Sequence, residues 1–344
     1  MSRKSRRKPR KTKGSGMSFI KKVAILAILG TAAAVGGFSY WAKTPITTQA
    51  EAIPFTVLPG SGVGAAAKEI SSAGVPVNPF LLSTLARVTQ KSGKIKAGSY
   101  ELKPNTTPRG LIDQMVRGEF AQESLTIIEG WTFRQMREAV AANKGLRHDT
   151  AKLSDAELMA KVSKDYKAPE GLFFPDTYLF AKGASDLTIY KQAHATLMTK
   201  LKAAWETRAE GLPYTTPYEA LVMASIVEKE TGKESERPLI AAVFVNRLKK
   251  GMMLQTDPTV IYGIGQKFDG DIRKKDLETD TPYNTYMRAG LPPTPIALPG
   301  EKSLAAALGP ATTESLYFVS RGDGSSQFSD NLPDHNRAVN KFQR

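Results

Sequence analysis

An uncharged stretch near the N-terminus constrains this 344-residue chain more than any other feature of its sequence. The stretch runs from Val23 to Trp41 and ends on an aromatic pair, Tyr40 and Trp41. A helix of nineteen residues, each rising about 1.5 Å, is long enough to cross a hydrocarbon layer of about 30 Å. Aromatic residues are typical of the interface at which such a helix leaves the layer. We therefore predict a transmembrane helix over residues 23–42.

The residues before this stretch predict its orientation. Residues 1–22 contain ten Lys or Arg and no acid, and positively charged flanks stay on the cytoplasmic side. We expect a basic cytoplasmic tail over residues 1–22 and a single-pass inner-membrane protein whose later residues are periplasmic. A cleaved signal peptide is the alternative because Ala32–Ala34 resembles a cleavage site, but the apolar run continues beyond it.

The composition disfavours several classes of protein. The formal net charge is +15, but the tail supplies ten of these charges, which leaves +5 for the remainder and argues against a nucleic-acid binder. The chain has no cysteine, and His148, His194 and His335 are far apart in the sequence. A disulfide framework, a thiolate nucleophile and a zinc site are therefore disfavoured. We expect no metal and no cofactor.

The pattern after a short linker at residues 43–52 predicts an α+β protein with two folded regions. Residues 53–120 favour the order strand, helix, helix, strand, helix, with the first strand at Phe55 and the second at Gly98–Leu102. Residues 121–344 alternate helices with Pro-rich loops. We expect the second region to be the larger domain.

The segment Thr216–Gly232 predicts a helix that is buried on every side. Thr216 suits the N-cap, Pro217 the first turn and Gly232 a left-handed exit, and the eight residues 220–227 are all apolar or small. Glu228 follows in the last turn, where apolar neighbours and the helix dipole are expected to raise its pKa and make it a general acid. Glu230 points about 200° away. The alternative is that Lys229, Lys233 or Arg237 matches the charge of Glu228.

The loops of the second region carry an unusual mixture of Tyr, Asn, Gln, Thr and Asp between prolines. This mixture is typical of surfaces that bind sugars by stacking and by neutral hydrogen bonds. The alternative is that these segments are ordered connections whose aromatic residues belong to the core. The segments are residues 170–178, 254–263, 280–286, 290–300 and 316–336.

Five short strings of the sequence, one from the helix segment and four from these loops, resemble the MltG (YceG-like) endolytic murein transglycosylases of bacteria. They are Val227–Thr231, Gln255–Gly263, Tyr283–Tyr286, Gly290–Pro293 and the pair His335 and Asn336. The resemblance implies a LysM-like module over residues 53–120, a YceG-like catalytic domain over residues 121–344 and a catalytic acid at Glu228. Two positions depart from the family pattern: Ser326 stands where a His is frequent, and Thr294 where a Gly is common.

The family activity implies peptidoglycan as the substrate and peptidoglycan synthases at the membrane as partners. A lytic transglycosylase needs one acid, because the C6 hydroxyl of the muramyl sugar serves as an internal nucleophile and leaves a 1,6-anhydro end. Two alternatives remain open: a hydrolase with Asp257 or Glu230 as second carboxylate, and a wall-binding scaffold without turnover. The expected substrate-binding residues are Gln255, Thr256, Asp257, Tyr262, Tyr283, Asn284, Tyr286, His335 and Asn336.

Overall fold

The computed structural model describes residues 15–48 and 52–343, so most of the predicted tail lies outside the described residues. The first helix, α1, spans Ser15–Lys43. Over Ile20–Lys43 it is long and apolar enough to cross a membrane, by length and composition. Its C-terminal end packs on the core of the residues that follow, where Ala42 is buried and Phe38 and Trp41 are partly buried.

The chain divides into two compact units, residues 1–121 and 122–344. In the first unit, strands β1 and β2 pair antiparallel with Phe55 opposite Tyr100, and the predicted order of strands and helices is confirmed. Its core is built on residues such as Tyr100, Leu111 and Met115. The elements after α1 are β1 (Ile53–Val57), α2 (Val63–Ser72), α3 (Pro79–Val88), β2 (Gly98–Leu102) and α4 (Pro108–Arg117).

The second unit is mostly helical and carries two antiparallel strand pairs, β3 with β4 and β5 with β6. Together the two units confirm a mixed α+β fold. The elements are β3 (Gln122–Thr126), α5 (Phe133–Ala142), α6 (Asp155–Val162), β4 (Thr177–Ala181), α7 (Asp186–Glu206), α8 (Pro217–Glu230), α9 (Arg237–Lys249), α10 (Asp257–Ile264), α11 (Lys274–Glu278), α12 (Glu301–Leu308), β5 (Tyr317–Ser320), β6 (Ser326–Ser329) and α13 (Leu332–Phe342).

Helix α8 is the centre of the second unit. Every residue from 220 to 227 is buried, as predicted, and the helix contacts α7, α9, α10 and α12. The hydroxyl of Thr216 caps the helix by accepting a hydrogen bond from the Glu219 amide at 3.2 Å. The predicted exit at Gly232 is wrong: Thr231 has extended backbone (φ −146°, ψ 135°), so the helix ends at Glu230. Glu230 is therefore the last helical residue, at the edge of the core.

We expect Leu221→Ala to lower the free energy of unfolding by about 2–5 kcal/mol, because it removes buried methyl groups from the middle of α8. Leu221 is fully buried. The matched control is Leu179→Ala, since Leu179 is 56% exposed on β4. This substitution should change the free energy of unfolding by no more than about 0.5 kcal/mol. Urea unfolding of the full chain measures both values, and equal costs would refute the central position of α8.

Candidate functional site

A cavity of about 630 Å³ opens beside the C-terminal end of α8, and we call it the first cavity. It is bordered by the end of α8, by the segment that leads into α10 and by the first turns of α13. It brings together Glu230 and Arg247 with six of the predicted substrate-binding residues, which are Gln255, Thr256, Asp257, Tyr286, His335 and Asn336.

Of the two acids that line this cavity, Glu230 is partly buried and Asp257 is exposed. The Oε1 atom of Glu230 accepts a hydrogen bond from the hydroxyl of Thr256. Burial raises the pKa of Glu230 to about 7, and the negative charge of Asp257 adds to the rise, while the Thr256 hydrogen bond and the charge of Arg247 oppose it. A carboxyl with such a pKa exists in both protonation states near neutral pH, so it is suited both to donate and to accept a proton.

Asp257 and Tyr286 form a pair on the wall of the first cavity. The phenol of Tyr286 donates a hydrogen bond to Asp257 Oδ1 at 2.7 Å. Burial, and then this hydrogen bond, raise the pKa of Tyr286, so the phenol remains a donor. The segments that carry the pair are joined as well, because the amide of Gln255 donates to the Thr285 carbonyl at 3.1 Å.

The backbone of Gln255 is strained. Its φ is +50°, in the left-handed region that residues with a side chain rarely adopt. Such conformations cost of order 1 kcal/mol or more and are concentrated at functional sites. The next residue, Thr256, is held by two hydrogen bonds. Its amide donates to Thr285 Oγ1 at 3.1 Å, and its hydroxyl donates to Glu230.

A buried cation closes the far side of the first cavity. Arg247 donates from Nε to the Leu316 carbonyl and from Nη1 to the Leu254 carbonyl, both at 2.7 Å. The guanidinium of Arg247 lies 5.1 Å from the centroid of the Tyr317 ring, and the ring of His335 stacks on Tyr317 with centroids 5.0 Å apart. Burial and the charge of Arg247 lower the pKa of His335. His335 is therefore a neutral hydrogen-bonding group in this cavity at pH 7.

Glu228, the predicted catalytic acid, lies elsewhere. Its side chain is 5% exposed, and Arg237 donates from Nη2 to Oε1 at 3.2 Å. The amide of Gly300 donates to Oε2 at 2.9 Å. Both oxygens are occupied inside the protein, and Glu228 does not line the first cavity. Of the three cations considered from the sequence, Arg237 is the partner.

The other predicted residues fall into two groups. Asn284 is fully buried, and its Nδ2 donates to three backbone carbonyls, the nearest being Thr279 at 2.7 Å. It therefore braces its own loop and is not placed to contact a substrate. Tyr262 and Tyr283 line a second cavity of about 670 Å³, together with Glu170 and Lys229.

Two residues of these cavities were missed as site residues by the sequence analysis. Glu170 lies in a segment that was singled out for its aromatic residues, and burial raises its pKa to about 7. Arg247 gave no signal, because its place on α9 resembles that of an ordinary surface cation. As for metals, residues 15–48 and 52–343 contain no cluster of three or more His, Asp or Glu arranged to hold an ion.

Comparison with known proteins agrees with this architecture. The profile of the YceG-like family matches residues 55–341, and the chain belongs to that family. It is 32% identical over 305 residues to a protein of Bacillus subtilis named endolytic murein transglycosylase, and the match covers 82% of each chain. A Streptococcus pneumoniae protein of the same name is 27% identical over 356 residues, which are 92% of this chain and 64% of that protein.

A solved structure supports the same relationship. The crystal structure of a YceG-like protein from Listeria monocytogenes superposes with a TM-score of 0.53 at 30% sequence identity. The superposition covers 83% of this chain and 98% of the Listeria chain.

We expect Glu228→Gln to lower the free energy of unfolding by about 3–5 kcal/mol, because it leaves the buried Arg237 without a counter-charge. The Nε of Arg237 is already buried without a hydrogen-bond partner. Urea unfolding measures the loss. The double variant Glu228→Gln with Arg237→Gln should lose less free energy of unfolding than Glu228→Gln alone. If Glu228→Gln alone leaves the free energy of unfolding unchanged, the ion pair does not stabilise the protein.

Proposed function

We propose that this protein is an endolytic lytic transglycosylase that cuts the bond between N-acetylmuramic acid and N-acetylglucosamine in murein strands. The observation that carries the proposal is Glu230, a partly buried carboxyl on the wall of the first cavity whose pKa is raised to about 7. Relatives named endolytic murein transglycosylase over most of the chain support the choice of substrate. In cells, this cleavage would end the elongation of nascent strands.

The proposal assigns the acid role to Glu230 and not to Glu228. A general acid needs an oxygen directed at the substrate, whereas both oxygens of Glu228 are bonded to Arg237 and Gly300. Glu230 has one oxygen bonded to Thr256 and lines the first cavity. In this assignment Glu228 stabilises the end of α8 and Glu230 performs the chemistry.

Glu230 acts twice in the reaction. It first gives its proton to the bridging glycosidic oxygen, which leaves with N-acetylglucosamine while the muramyl C1 gains oxocarbenium character. The carboxylate then takes the proton of the C6 hydroxyl as that oxygen bonds to C1 and closes the 1,6-anhydro ring. The proton that Glu230 lost is restored, and no water is consumed. An internal nucleophile needs no second carboxylate to hold a water molecule.

The neighbours of Glu230 fit this cycle. Asp257 and burial hold the pKa of Glu230 high enough for the first step, and Tyr286 fixes the orientation of Asp257. Arg247 stabilises the carboxylate that exists between the two steps, because its charge opposes the rise in pKa. Gln255, His335 and Asn336 border the same space and are assigned to binding the sugars.

One observation keeps a second reaction in view. Asp257 shares the first cavity with Glu230, so the pair could instead act as the two carboxylates of a hydrolase, with water attacking C1. We favour the transglycosylase because relatives that match most of the chain are named endolytic murein transglycosylase. The chemistry of the new strand ends separates the two reactions.

The cellular placement follows from the sequence. We propose that α1 is retained as a single inner-membrane anchor with a cytoplasmic N-terminus, and that both units are periplasmic. The basic residues before Val23 and the apolar helix support this orientation. We also propose that residues 53–120 form a LysM-like module and that peptidoglycan synthases are partners.

We expect Glu230→Gln to reduce cleavage of purified, uncrosslinked glycan by a factor of at least about 1,000, because an amide cannot deliver the proton. The fragments from the unmodified chain should carry anhydromuramyl ends and come from strand interiors. Mass spectrometry of the fragments measures both. The matched control is Glu278→Gln, because Glu278 is an exposed acid on α11.

Each failure of this experiment has a distinct meaning. Reducing ends in place of anhydro ends would support the hydrolase with Asp257. Cleavage that survives Glu230→Gln would remove Glu230 from the reaction, and binding of glycan without any cleavage would favour a scaffold.

We expect kcat/KM to fall as the pH rises through about 7, because the reaction starts from protonated Glu230 and its pKa is raised to about 7. Asp257→Asn removes a negative charge that helps to raise this pKa, so the fall should move to lower pH. Rates measured from pH 5 to about 9 test both statements. If kcat/KM of the Asp257→Asn variant falls at the same pH as that of the unmodified chain, Asp257 does not raise the pKa of Glu230.

A further inference from the structure

The proposed reaction leaves the second cavity without a role. At about 670 Å³ it is as large as the first cavity, and it mixes an aromatic wall with side-chain amides and cations. Cavities of this size and lining are typical of ligand sites. Its lining includes Lys229, Tyr262, Tyr283, Glu170, Gln135 and Gln266.

Lys229 supplies this cavity with an uncompensated positive charge. Its Nζ donates to the Gly130 carbonyl at 3.3 Å, and no carboxylate within the described residues lies within ion-pair distance of it. The other cation on the wall, Arg134, is already paired with Glu138 at 2.6 Å. Lys229 is therefore the group that an anionic ligand would neutralise.

Glu170 lines the same cavity but does not pair with Lys229, because both of its carboxyl oxygens accept hydrogen bonds from other residues. Its Oε1 accepts from the Phe133 amide at 2.9 Å, and its Oε2 accepts from the Tyr262 phenol at 3.1 Å. Burial raises its pKa to about 7, which lowers its negative charge further. Tyr262 in turn stands edge-on to Tyr283, with ring centroids 4.7 Å apart. The result is a fixed aromatic wall facing an unpaired cation.

The two cavities are neighbours along the backbone. Lys229 of the second cavity precedes Glu230 of the first, and Pro258 of the second follows Asp257 of the first. Consecutive Cα atoms are about 3.8 Å apart. The two cavities therefore border the same two segments, the end of α8 and the start of α10, and a branch on a sugar bound beside Glu230 would pass over these segments to enter the second cavity.

We propose that the second cavity binds the short peptide that branches from the muramyl sugar, with Lys229 pairing with one of its carboxylates. Murein carries such peptides on the sugar whose C1 reacts, so this proposal rests on the proposed function. The aromatic wall and the amides of Gln135 and Gln266 suit the alkyl groups and peptide bonds of the branch. The protein would then select strands that still carry their peptides.

The test compares two substrates, uncrosslinked glycan with its peptides and the same glycan after an amidase has removed them. We expect the full chain to show a kcat/KM at least about tenfold higher for the peptide-bearing strand. Lys229→Gln should lower this preference about tenfold. Lys191→Gln is the matched control, because Lys191 is an exposed lysine on α7 away from both cavities, and it should keep the preference.

A binding measurement keeps this proposal separate from the reaction. Titration of the Glu230→Gln chain with a disaccharide that carries the peptide, and with one that lacks it, should show the same preference and the same loss on adding Lys229→Gln. Equal affinities, or a preference that Lys229→Gln does not change, overturn the proposal even if cleavage proceeds. A preference in binding without any cleavage upholds this site and defeats the proposed function instead.

Discussion

The burial of α8 on every face is the constraint on which the rest of the second unit depends. A helix with no solvent side must be surrounded, and α7, α9, α10 and α12 surround this one. Its backbone hydrogen bonds are then satisfied internally, so a polar group can meet the surface only where the helix ends. Ser225 shows the same constraint, because its buried hydroxyl has to donate back to the Val222 carbonyl while it accepts from the Ile296 amide.

The end of α8 separates two carboxylates that differ by two positions. Glu228 turns towards Arg237 and the loop at Gly300. Glu230 turns towards Thr256 and the segment that begins α10. The first contact is an ion pair within the protein, and the second is a single hydrogen bond beside an open space. Burial therefore has a different consequence for each carboxyl. Glu228 is held as an ion pair with Arg237, whereas the pKa of Glu230 is raised to about 7.

The sequence was sufficient for features that depend on local pattern. Periodicity predicted the buried interior of α8, and the capping residues placed its start at Thr216. Residues 255–257 and 335–336, which the sequence predicts to bind substrate, line one cavity together, and their binding role stays a prediction. The features that the sequence did not settle depend on tertiary partners: which of Lys229, Lys233 and Arg237 pairs with Glu228, the burial of Asn284 under its own loop and the end of α8 before Thr231 instead of Gly232. Helical geometry predicts that Glu228 and Glu230 point in different directions, but only the fold shows which partners each of them meets.

The contact between the end of α1 and the first unit has a mechanical consequence. Ala42 and Ile46 are buried in the core of that unit, and the amide of Ile46 donates to the Thr106 carbonyl at 2.8 Å. The apolar helix is thus followed directly by residues that belong to the core of the first unit, and no long linker separates the two. If α1 spans a bilayer as proposed, its contacts with Thr106 and with the core of the first unit hold residues 53–120 close to the lipid surface.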